Sequence, residues 1–312
     1  MNRRNGTSGL DSPEVREAAL LTYRELLPEP ELRAHVRVYF SLTPGARPWR
    51  GRRGVVREVR FARGEPFCSP VFADPRASLV LELGASCRMG EGWSRGTPVR
   101  GYAIGPLRAV GSTGDTARAE MVGAYLEPGA ASALLHVPAV ELTDRIVDLE
   151  PLWGPGSARL TQDLVEQDEA ARVDLLEAAL VARLRRARDP DRRIDVTGLA
   201  RWARDEPTRM TVTRLAGAAG VSRQHLARVF RESVGVSPKR YCRLVRFQAG
   251  LAHASEGAGV PWARVAAELG YADQSHMITE FRELSSLTPE KLATERWFHP
   301  FILEARSGRA QS

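Results

Sequence analysis

The sequence predicts an α+β chain in two parts: a β-rich N-terminal domain with flanking helices, then an all-helical C-terminal domain with two helix-turn-helix units. Three observations predict this. Short apolar runs broken by Gly and Pro fill residues 55–125, helix and turn patterning takes over from Ile194, and the helical part repeats itself. A length of 312 residues suits two domains, and an apolar content of 43% is enough for packed cores.

The elements follow in chain order. Residues 1–18 are polar, have no apolar h-region and read as a loose tail, not a signal peptide. In the N-terminal domain, placed at 19–188, the runs VVREVRF, SLVLELG, YAIGP and AEMVGAYL read as strands of a sandwich or barrel. Pro128 and Gly129 end the strand pattern, and short helices are expected at Ala130–His136 and from Pro138. Gly154-Pro155-Gly156 is a break. Ser157–Arg188 reads as helix, because Leu160, Leu164, Leu175, Leu176, Ala179, Leu180 and Leu184 fall largely on one stripe. That stripe either pairs two subunits or packs on its own domain. The polar, Pro-broken stretch 189–193 reads as a linker, 194–297 as the C-terminal domain and 298–312 as a tail.

Several chemistries lack their residues. Cys68, Cys87 and Cys242 are too scattered for a disulfide framework or a zinc pair, and buried thiols in a reducing compartment are expected. Before residue 190 the only histidines are His35 and His136, far apart, so no metal site is expected. GxGxxG and phosphate-loop motifs are absent, and neither enzymatic activity nor a cofactor is expected. No window approaches 18 consecutive apolar residues, so the expectation is no membrane partner and a cytoplasmic, nucleoid-associated location.

Charge is concentrated. The whole chain has a net charge of +7. Residues 211–250 hold eight basic side chains (Arg214, Arg223, Arg228, Arg231, Lys239, Arg240, Arg243, Arg246) against Glu232 alone, so they too net +7. A basic segment on helices suits a polyanion such as DNA. Residues 251–300 hold four basic and seven acidic residues, netting −3.

The repeat makes the case specific. LAGAAGVSRQHLARVFRESVGVSPKRY begins at Leu215, and VAAELGYADQSHMITEFRELSSLTPEKL begins at Val265. Gly220 and Gly270 are 50 apart; past the turn the offset is 51, pairing Ser222 with Asp273, His225 with His276 and Phe230 with Phe281. Each copy is a helix, a glycine suited to a left-handed helix end, and a residue suited to capping the next helix. That is the sequence form of a helix-turn-helix.

The second helix of each copy has two faces. Leu226, Val229 and Phe230 in one, and Met277, Phe281 and Leu284 in the other, point inward. Gln224, Ala227, Arg228 and Arg231 share the outward face of the first; Ser275, Ile278, Thr279 and Arg282 share that of the second. Gln can read adenine, Arg can read guanine or hold phosphate, and Ala227 or Ile278 can pack on a thymine methyl. Ser222, Arg223, Gln274 and His276 at the helix starts, and Lys239 and Arg240 beyond the first unit, complete the candidate DNA-contacting set. His225 and His276 suit capping or phosphate roles. Trp202, Trp262 and Tyr271 suit the core better than base stacking.

These residues resemble the AraC/XylS family of regulators. The matching pieces are LA…GVSRQHLARVFRESVGVSPKRY, RLVRFQAGLAHA and VAAELGYADQSHMITEFREL…TPEKL, about 100 residues in all. The resemblance implies a domain of about seven helices, two helix-turn-helix units joined by a long helix at about Pro238–His253, and contact with two successive major grooves. Ser286 stands where the family usually has Gly, and Leu292 where an aromatic is common. YRELLPEPEL and MVGAYLEPGAASALLHVPAVELTDRIVDLEPLWG resemble a less characterised domain that precedes such DNA-binding parts, which implies a small barrel-like sensory domain with helices that can pair subunits.

The expected function is a sequence-specific DNA-binding transcription regulator controlled by a small molecule at its N-terminal domain. The alternative is a DNA-binding module whose N-terminal domain is structural or binds protein. The partners to expect are double-stranded DNA, RNA polymerase, an unidentified small-molecule effector and, through the leucine stripe, a second copy of the chain.

Overall fold

A computed structural model describes residues 20–45, 47–62, 70–84, 101–108, 111–112, 120–186 and 194–294. The tails, the 189–193 linker, Cys68 and Cys87 lie outside the described residues. The fold class is α+β, as the sequence predicts.

The N-terminal domain is built on an antiparallel sheet of β1 (Leu20–Leu26), β2 (Val36–Pro44), β3 (Val55–Ala62), β5 (Ser78–Glu82), β6 (Gly101–Ile104), β8 (Met121–Leu126) and β9 (Ile146–Asp148). Their order is β3-β1-β2-β8-β5-β6-β9. A two-stranded ribbon joins β4 (Pro70–Val71) to β7 (Gly111–Ser112). The four expected strands are present as β3, β5, β6 and β8. Strands β1 and β2, which lie before the expected strand region, form the centre of the sheet with them.

Both faces of the sheet are buried, which is why β1 does not alternate between apolar and polar residues. Leu21, Tyr23 and Glu25 point to one face, where Phe40, Val80 and Tyr102 join them. Thr22, Arg24 and Leu26 point to the other. Arg24 is wholly buried there: it donates to Glu58 at 2.8 Å, to Glu169 at 2.5 Å and to the Arg47 carbonyl. An unpaired guanidinium in that position would cost several kcal/mol, so the ion pairs are a condition of the fold.

Helices cover that second face. They are α1 (Ala131–Leu135), α2 (Ala139–Leu142), α3 (Leu149–Trp153), α4 (Gly156–Val165) and α5 (Glu169–Arg186). The expected 157–188 helix is two helices, separated where Asp168 accepts from the Ala171 N–H at 2.9 Å. Leu164, Val173, Leu176 and Leu180 are fully buried against Leu79, Leu81, Val122 and Ala124 of the sheet. The leucine stripe therefore packs on its own domain, and the pairing of two subunits through it loses the feature that motivated it.

Seven helices make the C-terminal domain among the described residues: α6 (Val196–Asp205), α7 (Val212–Ala218), α8 (Arg223–Val234), α9 (Pro238–Ala254), α10 (Trp262–Glu268), α11 (Gln274–Ser285) and α12 (Pro289–Thr294). One core runs through them from Ile194 to Leu292, with α9 at its centre. Cys242 is buried in that core, and burial pushes its thiol up to about 11. Phe72 and Ala73 of the N-terminal domain belong to the same core.

Candidate nucleic-acid interface

Each helix-turn-helix unit is set by local chemistry. Helix α7 gives way to α8 through Gly220 (φ +64°), and α10 to α11 through Gly270 (φ +71°). Glycine takes this left-handed conformation without steric cost, so the chain reverses within a few residues. The Ser222 hydroxyl then accepts from the His225 N–H at 3.2 Å, and the Asp273 carboxylate from the His276 N–H at 2.7 Å. These caps fix where α8 and α11 begin and leave their first turns in solvent. Ser237 caps α9 in the same way, accepting from the Arg240 N–H at 3.3 Å ahead of Pro238.

The inward faces are as the repeat predicts. Leu226, Phe230, Met277, Phe281 and Leu284 are fully buried, and Val229 is packed against them. The outward faces are open. Ser222, Arg223, Gln224, Arg228 and Arg231 on the first unit are exposed, as are Gln274, Ser275, His276, Thr279 and Arg282 on the second; Ala227 and Ile278 are half-buried beside them. Trp262 and Tyr271 are core residues. Trp202 is half-buried beneath the Arg214 guanidinium, 5.1 Å from its ring centre.

The basic cluster divides when its partners are followed. Arg243 of the linking helix α9 donates to Glu280 at 2.6 Å and to Glu283 at 2.5 Å. Arg246 lies over the Tyr271 ring at 5.1 Å and within 3.9 Å of Glu280. Tyr271 completes the site by donating to Glu280 at 2.9 Å. Two linking-helix arginines are thus used to hold the second recognition helix, and two acids of that unit are neutralised in return. Arg240 is half-buried and donates to the carbonyl of Arg108, so it faces the N-terminal domain and stands apart from the other candidates. Arg228 pairs with Glu232 one turn along its own helix at 3.1 Å. Among the described residues, Arg223, Arg231 and Lys239 make no side-chain hydrogen bond or ion pair. Their charged groups stand in solvent, as does that of Arg282 on the second unit.

The N-terminal domain meets this part through residues that the sequence pattern did not single out. Thr143 donates to the Gly235 carbonyl at 2.9 Å, and Arg204 pairs with the buried Glu127 at 2.9 Å. Nothing in the periodicity of either segment marks such contacts, since they join positions 92 and 77 residues apart.

Comparison with known proteins places both halves. A helix-turn-helix domain family matches residues 215–295, and a domain of unknown function, DUF6597, matches residues 24–148. An AraC-like transcription regulator from Streptomyces antibioticus is 34% identical over 86 residues, which are 28% of this chain and 28% of that protein. The chain thus spans little more than a quarter of the curated relative it matches. Among solved structures, the C-terminal domain of AraT, a response regulator from Geobacillus stearothermophilus, aligns over 34% of this chain and 93% of its own at 18% identity, with a TM-score of 0.29. ToxT from Vibrio cholerae aligns over 74% of this chain and 95% of its own at 10% identity, with a TM-score of 0.40. The chain thus carries a segment matching DUF6597 ahead of a C-terminal helix-turn-helix domain that is similar to part of an AraC-like regulator.

Proposed function

We propose that the chain is a sequence-specific DNA-binding transcription regulator, and that the N-terminal domain places it under the control of a small molecule. The observation that carries the DNA reading is the pair of capped recognition helices whose outward faces are both in solvent. Two such helices suit successive major grooves about 34 Å apart, a site of about two helical turns. Arg223, Gln224 and Arg228 would meet one groove, with Arg231 and Lys239 on the adjacent phosphates. Gln274, Ser275, His276, Ile278, Thr279 and Arg282 would meet the other. The protein would act in the cytoplasm at the nucleoid, alongside RNA polymerase.

The effector reading rests on the first face of the sheet. Tyr23 donates to Glu25 at 2.8 Å and Tyr102 to Glu82 at 3.1 Å, while the Phe40 and Tyr125 rings meet at a tilt of 32°, 4.7 Å apart. Aromatic walls with a few oriented polar groups are the mixture that small-molecule sites use.

Selection of duplexes from a random pool, followed by footprinting, tests the first part. The expected result is one enriched sequence protected over about two turns; a footprint shorter than one turn would remove the two-groove arrangement. A thermal-shift screen of cell metabolites tests the second. A shift reduced by Tyr102→Phe supports an effector on that face, and a metabolite set that shifts nothing returns the domain to a structural or protein-binding role.

A further inference from the structure

The N-terminal domain touches the C-terminal end of each recognition helix. On the first, α8 ends at Gly235 (φ +85°), which is buried, and its carbonyl accepts from Thr143 in the turn after α2. A Cβ at Gly235 would lie 2.5 Å from the Thr143 hydroxyl and 2.9 Å from the Ala139 carbonyl, so the approach of the two domains needs glycine there. On the second, α11 ends at Ser285, and the Leu284 carbonyl accepts from the Ala73 N–H at 3.4 Å.

Phe72 immediately precedes Ala73 and packs in the core of the C-terminal helices. It is fully buried and meets Phe247 of the linking helix edge-on at 6.2 Å. Phe247 in turn meets Phe281 of α11 edge-on at 4.9 Å. A side chain of the N-terminal domain therefore ends an aromatic row that runs through the linking helix to the second recognition helix. Its own position is set from behind: Asp74 and Leu107 exchange backbone hydrogen bonds at 2.9 and 2.7 Å, and Asp74 holds Arg76. None of these contacts covers the outward faces of α8 or α11, which remain exposed.

We propose that Phe72 and Thr143 make the N-terminal domain a brace for the two reading heads, which fixes their relative placement so that the docked state is the one that reads both grooves. The inference rests on the DNA-reading function proposed above. Binding through two linked units depends on an effective concentration set by how well the link holds them, and a loosened link weakens the joint event more than either single one.

The experiment compares full-length wild type, Phe72→Ala, Phe72→Leu and Thr143→Val on two probes: a duplex enriched by the wild type, and the same duplex cut to the half protected by the first unit. Phe72→Ala should weaken full-site binding about tenfold, leave half-site binding within about twofold and lose protection of the second half. Phe72→Leu, which refills most of the volume, should recover most of the full-site affinity. Full-site binding by Phe72→Ala that equals or exceeds wild type overturns the brace, since the domain is then a bystander or a lock. If Phe72→Ala does not fold, Thr143→Val decides: a selective full-site loss supports the brace and unchanged binding overturns it. A wild-type chain that enriches no duplex overturns the DNA-reading proposal, and the brace with it.

Discussion

The Thr143 hydroxyl donates to the Gly235 carbonyl at 2.9 Å, joining a turn of the N-terminal domain to the end of the first recognition helix. Gly235 is left-handed at φ +85°, and Ser286 takes the equivalent place at the end of the second recognition helix at φ +61°. The same cap is thus made once with glycine and once without it.

Two substitutions of opposite sign follow. Gly235→Ala should destabilise the protein by about 1–3 kcal/mol, because a Cβ in the left-handed region costs about 1–2 kcal/mol and this one also meets Thr143. Ser286→Gly should stabilise it by up to about 1 kcal/mol, since the position is exposed and only backbone strain is relieved. Denaturant unfolding of both variants checks the pair; a Ser286→Gly protein less stable than wild type would refute the strain argument.

Arg24 gives a larger effect. It is the largest fully buried side chain of the sheet and is held by Glu58 and Glu169. Arg24→Ala leaves Glu169 without this cation and Glu58 with Arg60 in place of two arginines, and should cost about 3–5 kcal/mol. Far-UV and near-UV spectra through a urea titration would show it, and a loss below about 1 kcal/mol would mean that solvent already screens the pair.

That arginine also explains what the sequence concealed. A strand with one wet face reads as alternation, but Thr22 and Arg24 are buried opposite Leu21 and Tyr23, so β1 shows neither an alternating nor a continuous apolar pattern. The break at Asp168 is similarly quiet, because one capping carboxylate interrupts a leucine stripe that continues on both sides of it. The helix-turn-helix units were legible for the converse reason. Gly220, Ser222, Gly270 and Asp273 act on neighbours within a few residues, so their chemistry is written locally and then repeated. Phe72 acts across the chain on Phe247, and no local pattern announces it.

Arg231 and Lys239 isolate the phosphate contribution, since both stand exposed without a side-chain partner among the described residues. Arg231→Ala should weaken specific and scrambled duplexes alike, and should lower the slope of log affinity against log salt by about one unit. Titrations at several salt concentrations measure both. A variant that loses affinity only for the specific duplex would make Arg231 a base reader instead.

Arg228 and Thr279 decide which half of the reader dominates. Arg228 stands on the outward face of α8, and its repeat partner Thr279 stands on that of α11, where its hydroxyl donates back to the Ser275 carbonyl at 3.0 Å. The Arg228–Glu232 pair is exposed and one turn apart, an arrangement worth only about 0.2–0.5 kcal/mol, so DNA can take the guanidinium from Glu232 at small cost. The acids Glu280 and Glu283 that make residues 251–300 net negative are engaged by Arg243, which narrows the difference in charge between the halves. On the reading faces the difference persists: α8 presents Arg223, Arg228 and Arg231, whereas α11 presents Arg282. Arg228→Ala should therefore cost about 1–3 kcal/mol on the specific duplex and relax the sequence preference of one half-site. Thr279→Ala should cost clearly less. Glu232→Ala should raise affinity slightly for all duplexes, because it frees Arg228 and removes a charge that repels phosphate. Binding of the three variants to specific and scrambled duplexes separates the possibilities. Uniform weakening by Arg228→Ala would assign that side chain to phosphate, and a Thr279→Ala variant weaker than Arg228→Ala would reverse the order of the two halves.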